Sequence, residues 1–460
     1  MRFPAFPSPA PGSMPTVPLL RRLALPALLL LLPACGGSPS DAGHEPTPPS
    51  QHPEADWLAA NAHPIRSLSV ADHDFSDLQP LKAAIGSSRV VLLGEQSHGD
   101  GTTFLAKARL IAFLHEEMGF DVLAWESGLW DVHQVWRHVQ AGEDVLTASR
   151  RGIFGVWTKS EQALPTLDYV KSTLGSAHPL EMAGFDNQTT GTLADDSLAL
   201  LMRDFARRIG SPVADDPAWP AAAATLTHLA QTADFDAKPS AADQARLLGL
   251  LGALRADAAA KAAADDDARF WAQSLESLAS FAQMMWTAAP GSFGGQDNNV
   301  RDTQMARNLV WLADAWYPGR KIIVWAASAH IARDVVQLRQ AGGTQVFTAW
   351  NVHMGGEAYQ SLGTQMYAIG FTAGTGAFGP YSVAPSPLPA VRPASLEARF
   401  AEAGLVNAFV DFRSRPAGGE WLQNVYARPF GYGDLQGDWT RVLDGMIYTR
   451  DMVPSTTATR

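Results

Sequence analysis

Four side chains suited to proton transfer stand in short polar stretches that follow apolar runs. Glu95 and His98 lie in Leu93-Gly94-Glu95-Gln96-Ser97-His98-Gly99, Glu126 follows Ala124-Trp125, and His330 closes Ser328-Ala329-His330. Asp186, at the end of Glu181-Met182-Ala183-Gly184-Phe185, is a third carboxylate in such a place. An imidazole gives or takes a proton near neutral pH, and a carboxylate beside it fixes its tautomer and raises its basicity. Each residue alone has a structural explanation: His98 in a turn, Glu95 at a helix N-terminus, Asp186 as a cap, Glu126 in a salt bridge. Taken together, two histidines and up to three carboxylates, with Ser328 on the same loop as His330, describe a general acid–base set.

The elements that would gather them are legible in the hydrophobic pattern. Arg89–Gly94, Asp121–Trp125, Glu181–Phe185 and Lys321–Ala326 are short apolar runs that fit buried parallel strands. Met366–Phe371 and Ala408–Phe412 look like further strands. Helical spacing predicts helices over Phe104–Met118 (stopped by Gly119), Leu129–Gln140, Asn299–Trp316 and Ile331–Gln340. Strands alternating with helices imply an α/β fold, a mostly parallel sheet flanked by helices. Between about 190 and 290 Ala- and Leu-rich helical stretches take over (Ser197–Ile209, Ala221–Thr232, Ala241–Ala264, Asp267–Trp286), which reads as an all-helical insertion, a candidate cap over the site. Glu95, His98, Glu126, Asp186 and His330 then fall just past the carboxyl ends of parallel strands, the edge where open α/β sheets bind ligands.

The ordered motifs resemble the erythromycin esterase family. The resemblance rests on Leu93 to Gly99, Phe104 and Lys107, Gly119-Phe120, Ala124-Trp125-Glu126 and Gly184-Phe185-Asp186. It continues in Asn299-Val300-Arg301-Asp302 with Met305-Ala306 and Asn308, in Trp325-Ala326 to His330, and in Gly363 with Tyr367 to Phe371. It implies metal-independent ester or macrolactone hydrolysis without a cofactor, with His98 as the base that activates water. Glu95 and Glu126 would orient it or the substrate. His330 would stabilise the oxyanion or protonate the leaving group, and Lys107, Asp186, Arg301 and Asp302 would be supporting charges. Two positions depart from the family pattern: Ala327-Ser328 stands where the family has His-Asn, and Thr102 stands where an acid is common.

Two alternatives use the same residues. Glu95, His98, Glu126 and His330 suit zinc or manganese as ligands of a metal-dependent hydrolase. A non-catalytic surface binding protein could keep the pocket without the chemistry, and the missing histidine at Ala327 suits that reading. Other signals are weak. There is no Gly-x-Ser-x-Gly elbow, and His115-Glu116 lacks the second histidine of a zincin. Gly374-Thr-Gly376-Ala-Phe-Gly379 has dinucleotide-loop spacing, but no helix is expected after it, so it reads as a turn. Trp125, Trp157 and Trp325 lie near the proposed site, with core packing as their expected role.

The N-terminus reads as a targeting signal. Arg21-Arg22 precedes the apolar run Leu23–Leu32 and then Pro33-Ala34-Cys35-Gly36, which resembles a bacterial lipoprotein signal over residues 1–35 with Cys35 as the acylated residue. The run is too short to make a good membrane span. Residues 36–54 are Pro-, Ser- and Gly-rich and read as a flexible tether to a domain over 55–460. The expected address is the cell envelope, on the periplasmic side; Gly36 is not the aspartate of inner-membrane retention, which points to the outer membrane. Cys35 is the only cysteine of the 460 residues, so no internal disulfide or cysteine metal cluster can form. The net charge of -11, with no local Lys/Arg block, disfavours nucleic acid and leaves a small-molecule ester or lactone as the expected partner.

Overall fold

The computed structural model describes residues 52–232, 238–287 and 296–460. Cys35 and its flanks, and the tether up to residue 51, lie outside the described residues. Pro53, expected in the tether, opens a helix Pro53–Asn61 with proline in its first turn, where a missing N–H costs nothing.

The expected short apolar runs form the middle of one sheet. From one edge to the other its strands are His63–Pro64, Asn407–Asp411, Gly445–Met452, Met366–Phe378, Val90–Leu93, Ile322–Trp325, Val122–Gly128 and Glu181–Asp186, with Ser386–Pro387 paired to the end of Met366–Phe378. The six strands from Gly445–Met452 to Glu181–Asp186 are mutually parallel. Asn407–Asp411 and His63–Pro64 add an antiparallel edge. Val90–Leu93 and Ile322–Trp325 are buried at every position, as continuous apolar runs flanked by helices on both faces must be. This is the expected α/β fold with a mostly parallel sheet.

The helix after the first central strand runs Gly101–Met118 and ends where Gly119 takes the left-handed conformation (φ 68°). Helix Leu129–Gln140 has the expected bounds. The insertion holds helices Thr192–Arg208, Trp219–Thr232, Ala241–Lys261 and Asp266–Thr287. Helix Gln296–Trp311 follows and loosens into a π turn over Leu312–Trp316.

Two expectations fail. Ile331–Gln340 is not a helix: a single turn Ser328–Ile331 gives way to Asp334 at φ 40° and a 3-10 turn Val335–Gln337. The main chain there is satisfied from outside, by Arg333 N–H to Val442 O (3.0 Å) and Arg339 N–H to Gln436 O (2.9 Å), so the helical ladder is not needed. The glycines 374 and 376 do not form a turn. Strand Met366–Phe378 runs on beside Gly445–Met452 as far as the Gly376–Met452 pair, where φ is 112° and a Cβ on Gly376 would sit 2.0 Å from Met452 O. The sequence reading missed strand Gly445–Met452 altogether.

Candidate active site

The carboxyl ends of the parallel strands bring eight ionisable side chains into one cluster. Glu95 and His98 follow strand Val90–Leu93, Glu126 lies in strand Val122–Gly128, Asp186 ends Glu181–Asp186, and His330 sits in the turn after Ile322–Trp325. Helix Gly101–Met118 contributes Lys107 from its buried face. Helix Gln296–Trp311 contributes Arg301 and Asp302, and its Asn308, two turns on from Arg301, docks it to the sheet by donating to Phe185 O (3.0 Å).

Glu95 is fully buried and accepts three hydrogen bonds. Oε1 takes His98 Nδ1 (2.8 Å) and the Trp157 indole N–H (3.1 Å), and Oε2 takes the Lys107 ammonium (2.6 Å). Lys107, itself fully buried, also donates to Ala326 O (3.2 Å) and lies 4.4 Å above the Trp325 ring. Burial pulls its pKa down and Glu95 opposes the fall. Because an ionised carboxylate can only accept, Nδ1 of His98 must carry its proton, which leaves Nε2 as the basic nitrogen of the neutral ring.

Glu126 holds the other half. Oε1 accepts from Arg301 Nη2 (2.9 Å) and Oε2 from the Ala327 backbone N–H (2.7 Å). Arg301 also grips Asp186 through Nε and Nη2 (2.6 Å to Oδ2). His330 Nδ1 meets Asp302 Oδ1 at 2.8 Å. Both histidines turn Nε2 towards one oxygen, Glu126 Oε1, at 3.9 Å from His98 and 3.3 Å from His330.

Charge decides the protonation states. Four carboxylates (Glu95, Glu126, Asp186, Asp302) face two basic side chains, the Lys107 amine and the Arg301 guanidinium. The excess negative charge draws protons onto the imidazoles. Burial works against a charged His330, but Asp302 and Glu126 outweigh it and push its pKa up to about 10. In that state His330 Nε2 forms an ion pair with Glu126 Oε1 at 3.3 Å; in the neutral ring with Nδ1–H on Asp302, Nε2 instead accepts from Arg301 Nη1 at 3.1 Å. His98 is raised by the same contest, burial against Glu95 and Glu126. Glu126 is held well below the usual carboxylate range: burial opposes, and His330, His98 and Arg301 prevail.

Exposure separates the roles. The side chains of Glu95, Lys107, Glu126 and Asp186 are at most 1% exposed, whereas His98 is 29% and His330 13% exposed. The carboxylates are therefore a buried framework and the two rings its outer face. Beneath them Trp125 and Trp325 stack at 4.8 Å, and Trp157 meets His98 edge-on at 5.4 Å.

Ser328 is placed apart from this group. Its hydroxyl is fully buried with no hydrogen-bond partner, under Gly94, where a Cβ would lie 2.5 Å from it. Its backbone N–H donates to Glu95 O (2.8 Å). Sequence reasoning missed two contributors. Trp157 was read as packing, although its indole N–H is a ligand of Glu95. His353, which has no motif around it, donates from Nδ1 to Ala329 O (2.7 Å) next to His330. As metal ligands, Glu95 and Glu126 do not fit: Lys107, Arg301 and backbone or ring N–H groups take their oxygens. Among the described residues no group of three or more His, Cys, Asp or Glu is arranged to hold a metal ion.

Comparison with known proteins agrees with this architecture. YbfO of Bacillus subtilis (strain 168), which carries the name "Putative hydrolase YbfO", is 26% identical over 476 aligned positions, covering 95% of this chain and 98% of that one. A crystal structure of a Bacillus cereus protein superposes with TM-score 0.66 at 18% identity, over 90% of this chain and 100% of that one. A mutant of the erythromycin esterase EreC in its open conformation superposes with TM-score 0.63 at 20% identity, over 84% and 96%. The family model described as erythromycin esterase matches residues 115–451, a stretch that holds Glu126, Asp186, Arg301, Asp302 and His330 and begins after Glu95, His98 and Lys107. The chain belongs to the erythromycin esterase family.

Proposed function

We propose that the chain hydrolyses a carboxylic ester or macrolactone with His98 as the general base. The observation that carries this reading is the division of the cluster into a buried ionic framework and two partly exposed imidazoles, each held at Nδ1 by its own carboxylate. Two such imidazoles facing one site are what an acid–base mechanism needs. His98 Nε2 takes a proton from water while Glu95 holds Nδ1–H and stabilises the imidazolium that forms. The resulting hydroxide adds to the ester carbonyl carbon, and the negative charge developing on oxygen is met by His330 and Arg301. The acyl carbon–oxygen bond then breaks as His330 gives its Nε2 proton to the departing alcohol oxygen. Water's oxygen stays in the acid, and His98 carries the proton that restores the balance.

A mass-spectrometric screen for water addition across esters and lactones tests the reading, run with wild type and His98→Asn. Turnover by wild type alone supports it. Equal turnover by both removes His98 from the mechanism. Binding without turnover supports instead the surface binding protein that Ala327 suggests.

We also propose export and anchoring through Cys35. This rests on the Arg21–Gly36 segment; among the described residues no helix is long and apolar enough to cross a membrane. Loss of fatty-acid labelling in Cys35→Ala is the expected result, and unchanged labelling contradicts it.

A further inference from the structure

Asp100 occupies the position just before helix Gly101–Met118, where an aspartate ordinarily caps the first turn, yet its side chain makes no cap. It is fully buried and reaches back along the chain. Oδ2 accepts the Ser97 N–H (2.7 Å), and Oδ1 accepts the Ser97 hydroxyl (3.1 Å) and the Tyr432 hydroxyl (2.8 Å). The Ser97 hydroxyl in turn accepts Gly99 N–H (3.2 Å). The loop from 97 to 100, with His98 between its ties, is thus closed on one carboxylate.

Tyr432 is an unusual residue for its place. It adopts φ 62°, a left-handed conformation that a non-glycine residue keeps only where its surroundings impose it. Its neighbours Gly431 and Gly433 could turn the chain without that requirement. The side chain is buried against Phe378 at 4.7 Å with only its hydroxyl directed at a polar partner, and Gly431 N–H reinforces the tie by donating to Gln96 O (2.9 Å).

We propose that Asp100 and Tyr432 are positioning residues that hold the 97–100 loop so that His98 Nδ1 meets Glu95. The functional part of this claim rests on the reading of His98 as the base; the geometric part does not. The charged groups that face the pair are Glu95 and Lys107 on the side of Asp100 and Arg428 on the side of Tyr432. Burial pushes the Asp100 carboxyl up to about 7, against the bonds from Ser97 and Tyr432, so losing the tyrosine hydroxyl favours the protonated acid and weakens its grip on Ser97.

The test uses Asp100→Ala, Asp100→Asn and Tyr432→Phe in the full chain, with two readouts. The first is carbethoxylation of His98 by diethyl pyrocarbonate, followed against pH by peptide mass spectrometry, which titrates His98 without any substrate. The second is kcat and KM on an ester that wild type turns over. Asp100→Ala and Tyr432→Phe should lower the apparent pKa of His98 towards 6.5 and quicken its labelling at pH 7. In Asp100→Ala kcat should fall about tenfold, the scale on which slight misplacement of a catalytic group acts, with KM within about twofold. Asparagine keeps one acceptor for Ser97 N–H and can donate to the two hydroxyls, so Asp100→Asn should recover most of kcat. Should Asp100→Ala fail to fold, Tyr432→Phe alone decides. An unchanged His98 titration in the folded variants overturns the proposal even if wild type proves to be a His98-dependent esterase. A shifted titration in a protein that hydrolyses no ester sustains the positioning claim and overturns the hydrolase reading instead.

Discussion

Asp302→Asn removes a charge from His330 while keeping the shape of its partner. Asp302 Oδ1 lies 2.8 Å from His330 Nδ1 and 2.9 Å from the Met354 N–H, and an asparagine oxygen can accept from both. At that separation the charge–charge energy is about 6 kcal/mol for an effective dielectric of about 20. Part of it is offset because an amide costs less to bury than a carboxylate. If about half acts on the proton equilibrium, at about 1.4 kcal/mol per unit, the His330 pKa falls by about 2 units. It would move from about 10 to roughly 8. The folded value lies above the unfolded one in both proteins. The stabilisation is therefore complete below pH 6.5 and fades as pH rises, through about 10 in wild type and about 8 in the variant. The variant's deficit should be about 3 kcal/mol at pH 7 and should close near pH 10, as read by urea unfolding at the two pH values. The alkaline limb of kcat/KM should move down by the same 2 units or so. A deficit equal at pH 7 and pH 10, together with an unmoved alkaline limb, would refute the reasoning.

Three further outcomes follow from contacts in the cluster. Lys107→Met leaves a buried carboxylate without its cation and should cost about 3–5 kcal/mol in urea unfolding, since both partners are 0% exposed. Trp157→Phe keeps the ring against His98 but removes the N–H bond to Glu95. It should cost about 1.5–3 kcal/mol in urea unfolding. Gly99→Ala puts a Cβ 2.2 Å from Gly379 C and 2.4 Å from Pro380 N, both backbone, so the His98 loop must part from that segment. A loss of about 1–3 kcal/mol in thermal unfolding with a larger loss of turnover is expected.

How much of this was legible in the sequence depended on how local each signal was. Ile322–Trp325 and Val90–Leu93 announced themselves because a strand covered on both faces is apolar at every position. Their carboxyl ends located Glu95 and His330 by the same reasoning. Ile331, Ala332, Val335 and Leu338 are buried at roughly helical spacing, yet the segment is not a continuous helix, because main-chain partners at Gln436 and Val442 replace the helical ones. No local pattern records a partner a hundred residues away. The same holds for Trp157, whose indole differs from a packing tryptophan only in where its N–H points. It holds for the pairing of Gly376 with Met452, which makes a strand of what the glycine spacing suggested was a turn. Lys107, Arg301 and Asp302 were picked out by resemblance. Nothing in their own spacing showed that they would neutralise Glu95 and Glu126 or set the state of His330.

The account turns on His98 acting as a base whose pKa lies above 6.5 because Glu95 and Glu126 hold its charged form. The most direct measurement is the pH profile of kcat/KM for wild type and His98→Asn on an ester found in the water-addition screen. Wild type should gain activity with rising pH along an acidic limb centred above 6.5, and His98→Asn should lose at least about a hundredfold, the lower end of the range for removing a general base. An acidic limb at or below 6.5, or a variant that keeps wild-type kcat/KM, would contradict it.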